Sequence, residues 1–296
     1  MSAVGDEDEI EASRAPLMDH LIELRARLIV CAWAIAVGFG VCFAFAQNIY
    51  IFLLGPFQRA GQLFAVTSAK GVKHGPFDLV LAVFDPQAAA HVAVAPINLV
   101  FTAPLEFFFT KVKLAGFGAV VLVFPVLAWQ LYRFVAPGLY KRERNAFLPF
   151  LAASPVLFLM GAALVYFVML PFVLWFSLNQ QILGSGAVTV QMMSKVSDYL
   201  DLVTTLLLAF GLCFQLPVIL ALLGLAGIVN SQMLASGRRY AILAVFAIAA
   251  ILTPPDPFSM MSLAIPGVLL YEISIWCVWL IERRRKREDA AADLPS

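Results

Sequence analysis

Charge is what this 296-residue chain lacks over long distances. Charged residues make up 13% of it and hydrophobic ones 62%, far from the balance of a soluble globular domain. No charged residue falls between Arg27 and Arg59, Lys113 and Arg133, Arg144 and Lys195, Asp201 and Arg238, or Arg239 and Asp256. After Asp256 only Glu272 interrupts the run to Glu282. Signals for catalysis are equally scarce. The sequence has no GxxxxGK[ST] nucleotide loop, no HExxH zinc helix and no GxSxG elbow, which argues against ATP-driven, zinc-dependent or serine-hydrolase chemistry of known spacing. Its three histidines (His20, His74, His91) are not paired at metal-ligand spacing. The expectation is no catalytic residue, no metal and no cofactor. The four cysteines (Cys31, Cys42, Cys213, Cys277) all lie in apolar stretches and read as packing residues, not disulfides. The first 25 residues contain no apolar h-region, so no cleavable signal peptide is expected. No internal repeat relates the two halves, which withholds support from inverted-repeat transporter logic.

What the chain does have is a series of long apolar runs. A membrane-crossing helix needs about 20 mostly apolar residues, and backbone groups in lipid must be satisfied within the segment. A β-barrel instead shows alternating segments of about 10 residues, and these are absent. The reading is an all-α, polytopic membrane bundle of six transmembrane helices near 28–47, 111–132, 149–177, 199–224, 239–252 and 259–281. The last two are short. Prolines within the spans (Pro125, Pro155, Pro171, Pro217, Pro266) favour kinks and a curved bundle. Fourteen of the 20 Lys and Arg residues fall on the side of the N-terminus, including the run Arg283 to Arg287, and six on the other. The positive-inside bias therefore places both termini in the cytoplasm. Residues 1–16, headed by five acidic side chains, are expected as a flexible cytoplasmic tail, 17–282 as the membrane domain and 283–296 as a basic cytoplasmic tail. The outer segment 48–110, punctuated by Gly55-Pro56 and Asp85-Pro86, is expected to form a small cap, and Thr253 to Pro257, with Asp256, a tight outer turn.

Several polar residues stand out. Glu23 and Arg27, four apart where the first helix leaves the membrane surface, form either an ordinary helix ion pair or leave Glu23 free for a cationic ligand. The cytoplasmic segment from Tyr132 to Arg144 carries exposed aromatics, a Pro137-Gly138 turn, and Glu143 among four bases. Glu143 either neutralises its neighbours or binds a cation. Gln215, mid-span, is either interhelical glue or a docking point for a partner helix. Glu272, near mid-span, is costly unless it faces protein or water or is protonated. Lys111 and Lys113 sit near an outer boundary, can snorkel, and need no special role.

Read in order, these residues resemble the TatC family of twin-arginine translocase components. The match runs through His20–Arg25 (HLIELR), Phe134–Pro137 (FVAP), Leu139–Arg144 (LYKRER), Phe214–Pro217 (FQLP), Leu252–Asp256 (LTPPD), Ala264–Pro266 (AIP) and Tyr271-Glu272. The resemblance implies a core receptor of a protein translocase rather than an enzyme. Such a receptor recognises Arg-Arg signal peptides on folded cargo at the cytoplasmic face of the bacterial inner membrane. It also implies single-span partners of the TatA and TatB type, self-association, transport driven by the proton gradient, and no nucleic-acid partner. By the same resemblance, the carboxylates of Glu23 and Glu143 meet the twin arginines. Arg25, Phe134, Pro137 and Tyr140 shape the surrounding surface, and Gln215 meets signal-peptide or partner helices. Two carboxylates suit this task because guanidinium pairs with carboxylate in a planar, bidentate way that lysine cannot copy.

Two departures from the family pattern stand out. Some members carry glutamate where this chain has Gln215, so a charge role there does not follow. The first outer loop is also longer than in typical bacterial members, across roughly Lys70–Pro96. The competing readings are a small-solute secondary transporter and a membrane scaffold or insertase. A receptor should depend on cytoplasmic Glu23 and Glu143, and a transporter on mid-span groups such as Glu272.

Overall fold

The computed structural model describes residues 3–70, 99–135, 144–181, 195–252 and 257–292. Among these residues almost everything is helical, and the one β feature is an isolated bridge between Val100 and Lys195. In chain order the helices are α1 (Ala3–Ala44), α2 (Ala46–Leu53), α3 (Gly55–Lys70), α4 (Glu106–Val135) and α5 (Arg144–Leu164). A π-helical turn (Val165–Met169) links α5 to α6 (Leu170–Asn179). Next come α7 (Val196–Cys213), α8 (Leu216–Leu225), α9 (Ser231–Ser236), α10 (Arg238–Leu252) and α11 (Pro257–Ala292).

Five helical stretches are long and apolar enough to cross a membrane: Leu21–Ala44, Glu106–Leu131, Ala152–Asn179, Val196–Leu225 and Leu263–Arg285. The fifth expected span is α10, whose 15 residues reach about 22 Å, short of the roughly 30 Å hydrocarbon core. The last span, also expected to be short, is not: Leu263–Arg285 of α11 has 23 residues, because the helix continues past Glu282. Residues with no protein neighbour face outward and are apolar. On α11 this stripe is Ile265, Leu269, Ile273, Trp276 and Leu280, as expected of a face turned to lipid tails.

Three further sequence expectations change. Helix α1 starts at Ala3, inside the segment expected as a tail; its Glu and Ala residues favour helix, and acidic groups suit a helix N-terminus. Likewise α11 runs on to Ala292, through the basic tail. The outer segment 48–110 is not all loop, because α2 and α3 carry helix from Ala46 to Lys70 with one break at Leu54.

The prolines mark where helices break. Pro56 and Pro217 fall at the second position of α3 and α8, where a missing N–H costs nothing. Pro171 follows the π turn, a common site of helix irregularity. Pro125 and Pro266 lie inside continuous helices.

Small residues let the helices approach closely. Along α1 and α4, a methyl group on Gly38 would sit 2.7 Å from Val123, and one on Gly118 would sit 3.0 Å from Cys42 Sγ. Arg27 meets Gln130 at one end of this seam, and Tyr50 meets Phe107 at the other, so the two helices run antiparallel. Between α5 and α7 the packing is reciprocal. The Phe158 ring fills the space over Gly211, and Phe214 the space over Gly161. Phe158 and Phe210 are among the largest fully buried side chains, and Phe210 belongs to a main core that gathers α2, α3, α6 and α7 with Leu114 of α4, Ala249 of α10 and Leu263 and Leu270 of α11.

Contacts also sort the two ends of the bundle. Glu106, Ser197 and the α2–α3 break lie at one end. Arg27, Gly227 and Arg285 lie at the opposite end of the helices that reach them.

Candidate functional site

Helix α1 enters the membrane with Glu23 and Arg27 one turn apart on the same face, where i,i+4 side chains meet. The Arg27 guanidinium donates through Nη2 to Glu23 Oε1. It also reaches across to α4, where Nη1 lies 3.4 Å from the carbonyl of Gln130. Arg27 is inserted and Glu23 is not: their side chains are 16% and 37% exposed. The Nε atom of Arg27 is buried and has no hydrogen-bond partner. Arg25 faces outward beside this pair. Of the two sequence readings for Glu23, the structure shows the ion pair, so the carboxylate is not free. The link to Gln130 had no sequence signal, because a main-chain carbonyl carries none.

Phe134 lies in the last turn of α4. Pro137, Tyr140, Glu143 and Asp256 lie outside the described residues.

Gln215 sits at the turn between α7 and α8 and is 6% exposed. Its amide donates to the Ser154 carbonyl at 2.9 Å, and its carbonyl accepts from the Ser154 hydroxyl at 2.6 Å. Both ends of the side chain are thus engaged by α5 of the same chain. This is the interhelical glue of the two sequence alternatives, at a place where a helix break would otherwise loosen the packing.

Glu272, for which facing protein was one of the alternatives, is half of a two-point ion pair. Arg238 Nε lies 2.8 Å from Glu272 Oε1 and Nη2 lies 2.9 Å from Oε2. The reason is the shortness of α10, which brings its first residue level with Glu272 on α11. Beside it, Tyr271 donates to the Leu234 carbonyl at 2.9 Å. Further along α11, Glu282 accepts from the Ser231 amide at 2.7 Å and from the Ser231 hydroxyl at 2.5 Å. These contacts tie α9 to α11, and with Asn230, Gln232, Trp279 and Arg283 they line an open groove.

The opposite end holds Pro56 and Lys113, which the sequence singled out, and Tyr166, Tyr199 and Glu106, which it did not. Pro56 is fully buried at the start of α3, and the carbonyls of Phe52 and Leu53 just before it accept from Tyr166 and Tyr199 hydroxyls, each at 2.6 Å. Glu106, at the start of α4, accepts from the Thr102 and Ala103 amides at 2.8 and 3.1 Å and from the Ser197 hydroxyl at 2.6 Å. Lys113, expected to need no partner, pairs with Asp201 at 2.9 Å. Both are exposed, so this contact contributes little. Among the described residues no three of His, Cys, Asp and Glu gather at metal-binding distance.

Comparison with known proteins gives these features a family. The model of the family described as Sec-independent protein translocase protein (TatC) matches residues 19–266. The protein of that name from Magnetococcus marinus is 40% identical over 280 residues, covering 95% of this chain and 90% of the relative. Its counterpart in Rickettsia prowazekii is 35% identical over 271 residues, 90% of this chain and 94% of the relative. Two crystal structures of the twin arginine translocase receptor TatC, one in DDM, superpose with TM-scores of 0.63 and 0.66 at 32% and 33% identity. They cover 88% and 87% of this chain and 98% of each solved chain. The chain is a multi-pass membrane protein that belongs to the TatC family of translocase components, which are not enzymes.

Proposed function

We propose that this protein is the core receptor of a twin-arginine translocase. In this reading it binds Arg-Arg signal peptides of folded cargo at the cytoplasmic face of the bacterial inner membrane, with both termini on that face. It assembles with single-span TatA- and TatB-type proteins and further copies of itself, and the proton gradient drives export. The observation that carries the reading is the Glu23 carboxylate, which sits at the membrane-surface end of α1 and is already engaged by a guanidinium. A site that pairs with an arginine of its own chain has the chemistry to pair with an arginine of a peptide. The solved relatives named as twin arginine translocase receptors support the same reading, as does the bias of basic residues toward the Arg27 side.

The solute-transporter reading rested on ionisable groups at mid-depth, chiefly Glu272. That carboxylate is matched by Arg238, which leaves nothing specific in its favour.

The test is site-specific photo-crosslinking from positions flanking Glu23 and Glu143 to a labelled signal peptide, in Arg-Arg and Lys-Lys versions. Crosslinks that form with Arg-Arg and fade with Lys-Lys are expected. Equal crosslinking with both, or none with either, would overturn the assignment. Glu23→Ala and Glu143→Ala are each expected to weaken peptide binding.

A further inference from the structure

We propose that Arg27 is an internal competitor of the signal peptide. Its guanidinium holds the Glu23 carboxylate in the resting protein, and an incoming arginine must displace it. The inference rests on the assignment of Glu23 to twin-arginine recognition made above.

The geometry gives three reasons. First, the two side chains approach the carboxylate from opposite sides of the surface. Arg27 is mostly buried between α1 and α4, with its side chain 16% exposed, whereas Glu23 is 37% exposed. The face of Glu23 turned to solvent is open to a peptide while the inner face is held. Second, Arg27 has little else to bond. Its contact to the Gln130 carbonyl is long, at 3.4 Å, and its Nε is buried without a partner. Glu23 is therefore its principal acceptor, and losing Glu23 leaves a largely buried guanidinium under-satisfied. Third, the competitor is an arginine. An arginine ligand replaces a guanidinium contact made through Nη2 alone with one that can be forked. A lysine ligand supplies only a point charge and cannot match the contact it removes.

Held this way, an exposed carboxylate that would attract any cation becomes one that yields only to a ligand that binds it more strongly than its own arginine does. Arg27 sets a threshold common to every peptide in this account, and the preference for arginine comes from the ligand's own fork. The alternative is a positioning role, in which Arg27 orients Glu23 and both arginines share its lone pairs. The two accounts predict opposite signs when Arg27 is changed.

The experiment measures binding of Arg-Arg and Lys-Lys signal peptides to the full chain in nanodiscs, for the unaltered protein, Arg27→Gln, Arg27→Lys, Glu23→Ala and Arg284→Gln. The last removes one exposed base outside the Glu23 site and controls for net charge. Arg27→Gln is expected to tighten both peptides by a similar factor, on the order of threefold, the scale of a partly exposed ion pair. Arg284→Gln should leave both affinities nearly unchanged. Weaker or unchanged binding in Arg27→Gln overturns the proposal while Glu23→Ala still weakens binding. Normal binding by Glu23→Ala overturns the receptor assignment of Glu23 and this proposal together. Should Arg27→Gln fail to fold, Arg27→Lys carries the test: its point charge holds Glu23 less well, and both affinities must rise in the same direction.

Discussion

The hydroxyl of Tyr199, on α7, donates to the carbonyl of Leu53, the last residue of α2, at 2.6 Å. Tyr166 makes the equivalent bond to Phe52, also at 2.6 Å. The pair answers a specific deficit. In an unbroken helix the Phe52 carbonyl would accept from the amide of residue 56, but Pro56 has none. The Leu53 carbonyl would accept from Phe57, but that amide turns back to Leu54 at 3.1 Å. The buried Leu53 carbonyl is thus closed by Tyr199, and Tyr166 adds a bond to the Phe52 carbonyl, which also accepts from a backbone amide at the end of α2. A buried carbonyl without a partner is expensive, so the break and the tyrosines belong together.

Tyr199→Phe should lower stability by about 1–3 kcal/mol, the cost of leaving a buried acceptor unsatisfied, and Tyr166→Phe by less, because the Phe52 carbonyl keeps a backbone amide. The rings remain, so the stacked contact of residue 166 with Phe52, at 4.5 Å between centroids, is kept and the loss belongs to the hydroxyl. Thermal unfolding in detergent measures the stability, and hydrogen exchange over residues 50–58 should accelerate in both variants. Unchanged exchange there would mean that water replaces the phenols.

Gln215→Leu should cost about 1–2 kcal/mol, the upper part of the range for interhelical hydrogen bonds in membranes, because two bonds to Ser154 are lost together. Ser154→Ala removes only the hydroxyl and should cost less. The double variant should lose less than the sum of the singles, since both changes break one shared contact. Additive losses in thermal unfolding would show that the two residues act separately. Peptide binding by Gln215→Leu should stay near normal, since the Glu23–Arg27 contacts join α1 to α4 and the Gln215 contacts are to α5.

The helical architecture was legible because lipid leaves so few options. Charge-free runs long enough to cross must be helices, and their approximate positions follow from where the charges stop. Short α10 was legible for the same reason. The helix breaks were only half legible: Pro171 and Pro217 signal a disturbance, but not that Pro171 follows a π turn or that Gln215 occupies the turn before Pro217. The partners were the least legible. Glu23 and Arg27 follow from i,i+4 spacing, whereas Ser154, Arg238, Tyr166 and Tyr199 find their partners across helices, and no local pattern encodes which residues fall at the same depth. Glu106 was passed over because a carboxylate beside a span boundary reads as an ordinary interfacial charge.

Glu106→Ala should release the segment before α4. The carboxylate gathers the amides of Thr102 and Ala103 and the hydroxyls of Thr102 and Ser197, so it joins the start of α4 to the start of α7. Glu106→Gln keeps one oxygen for the backbone donors and places an amide where the Ser197 hydroxyl can accept from it, so it should disturb the segment far less. Hydrogen exchange at Thr102 and Ala103 distinguishes the two variants. Equal acceleration in both would mean that the negative charge, rather than the acceptor geometry, holds the junction.

The Arg238–Glu272 pair yields the last prediction, and it bears on function. The pair joins the first turn of α10 to the middle of α11 through two parallel contacts of 2.8 and 2.9 Å. Glu272→Gln leaves Arg238 with one neutral acceptor, and Arg238→Gln leaves a carboxylate without its cation at a depth where that is costly. Each should impair packing of α10 on α11. The double variant Arg238→Gln/Glu272→Gln should recover part of the loss, with a coupling of roughly 1 kcal/mol, discounted for the partial exposure of both groups. The exchanged variant, Arg238→Glu/Glu272→Arg, restores a pair at the same depth and should restore both stability and export of a twin-arginine cargo. If the carboxylate of Glu272 instead carried protons in its own right, the exchange would recover stability but not export. Measured side by side, unfolding and export therefore separate an ion pair that holds α10 on α11 from a carboxylate that works in transport.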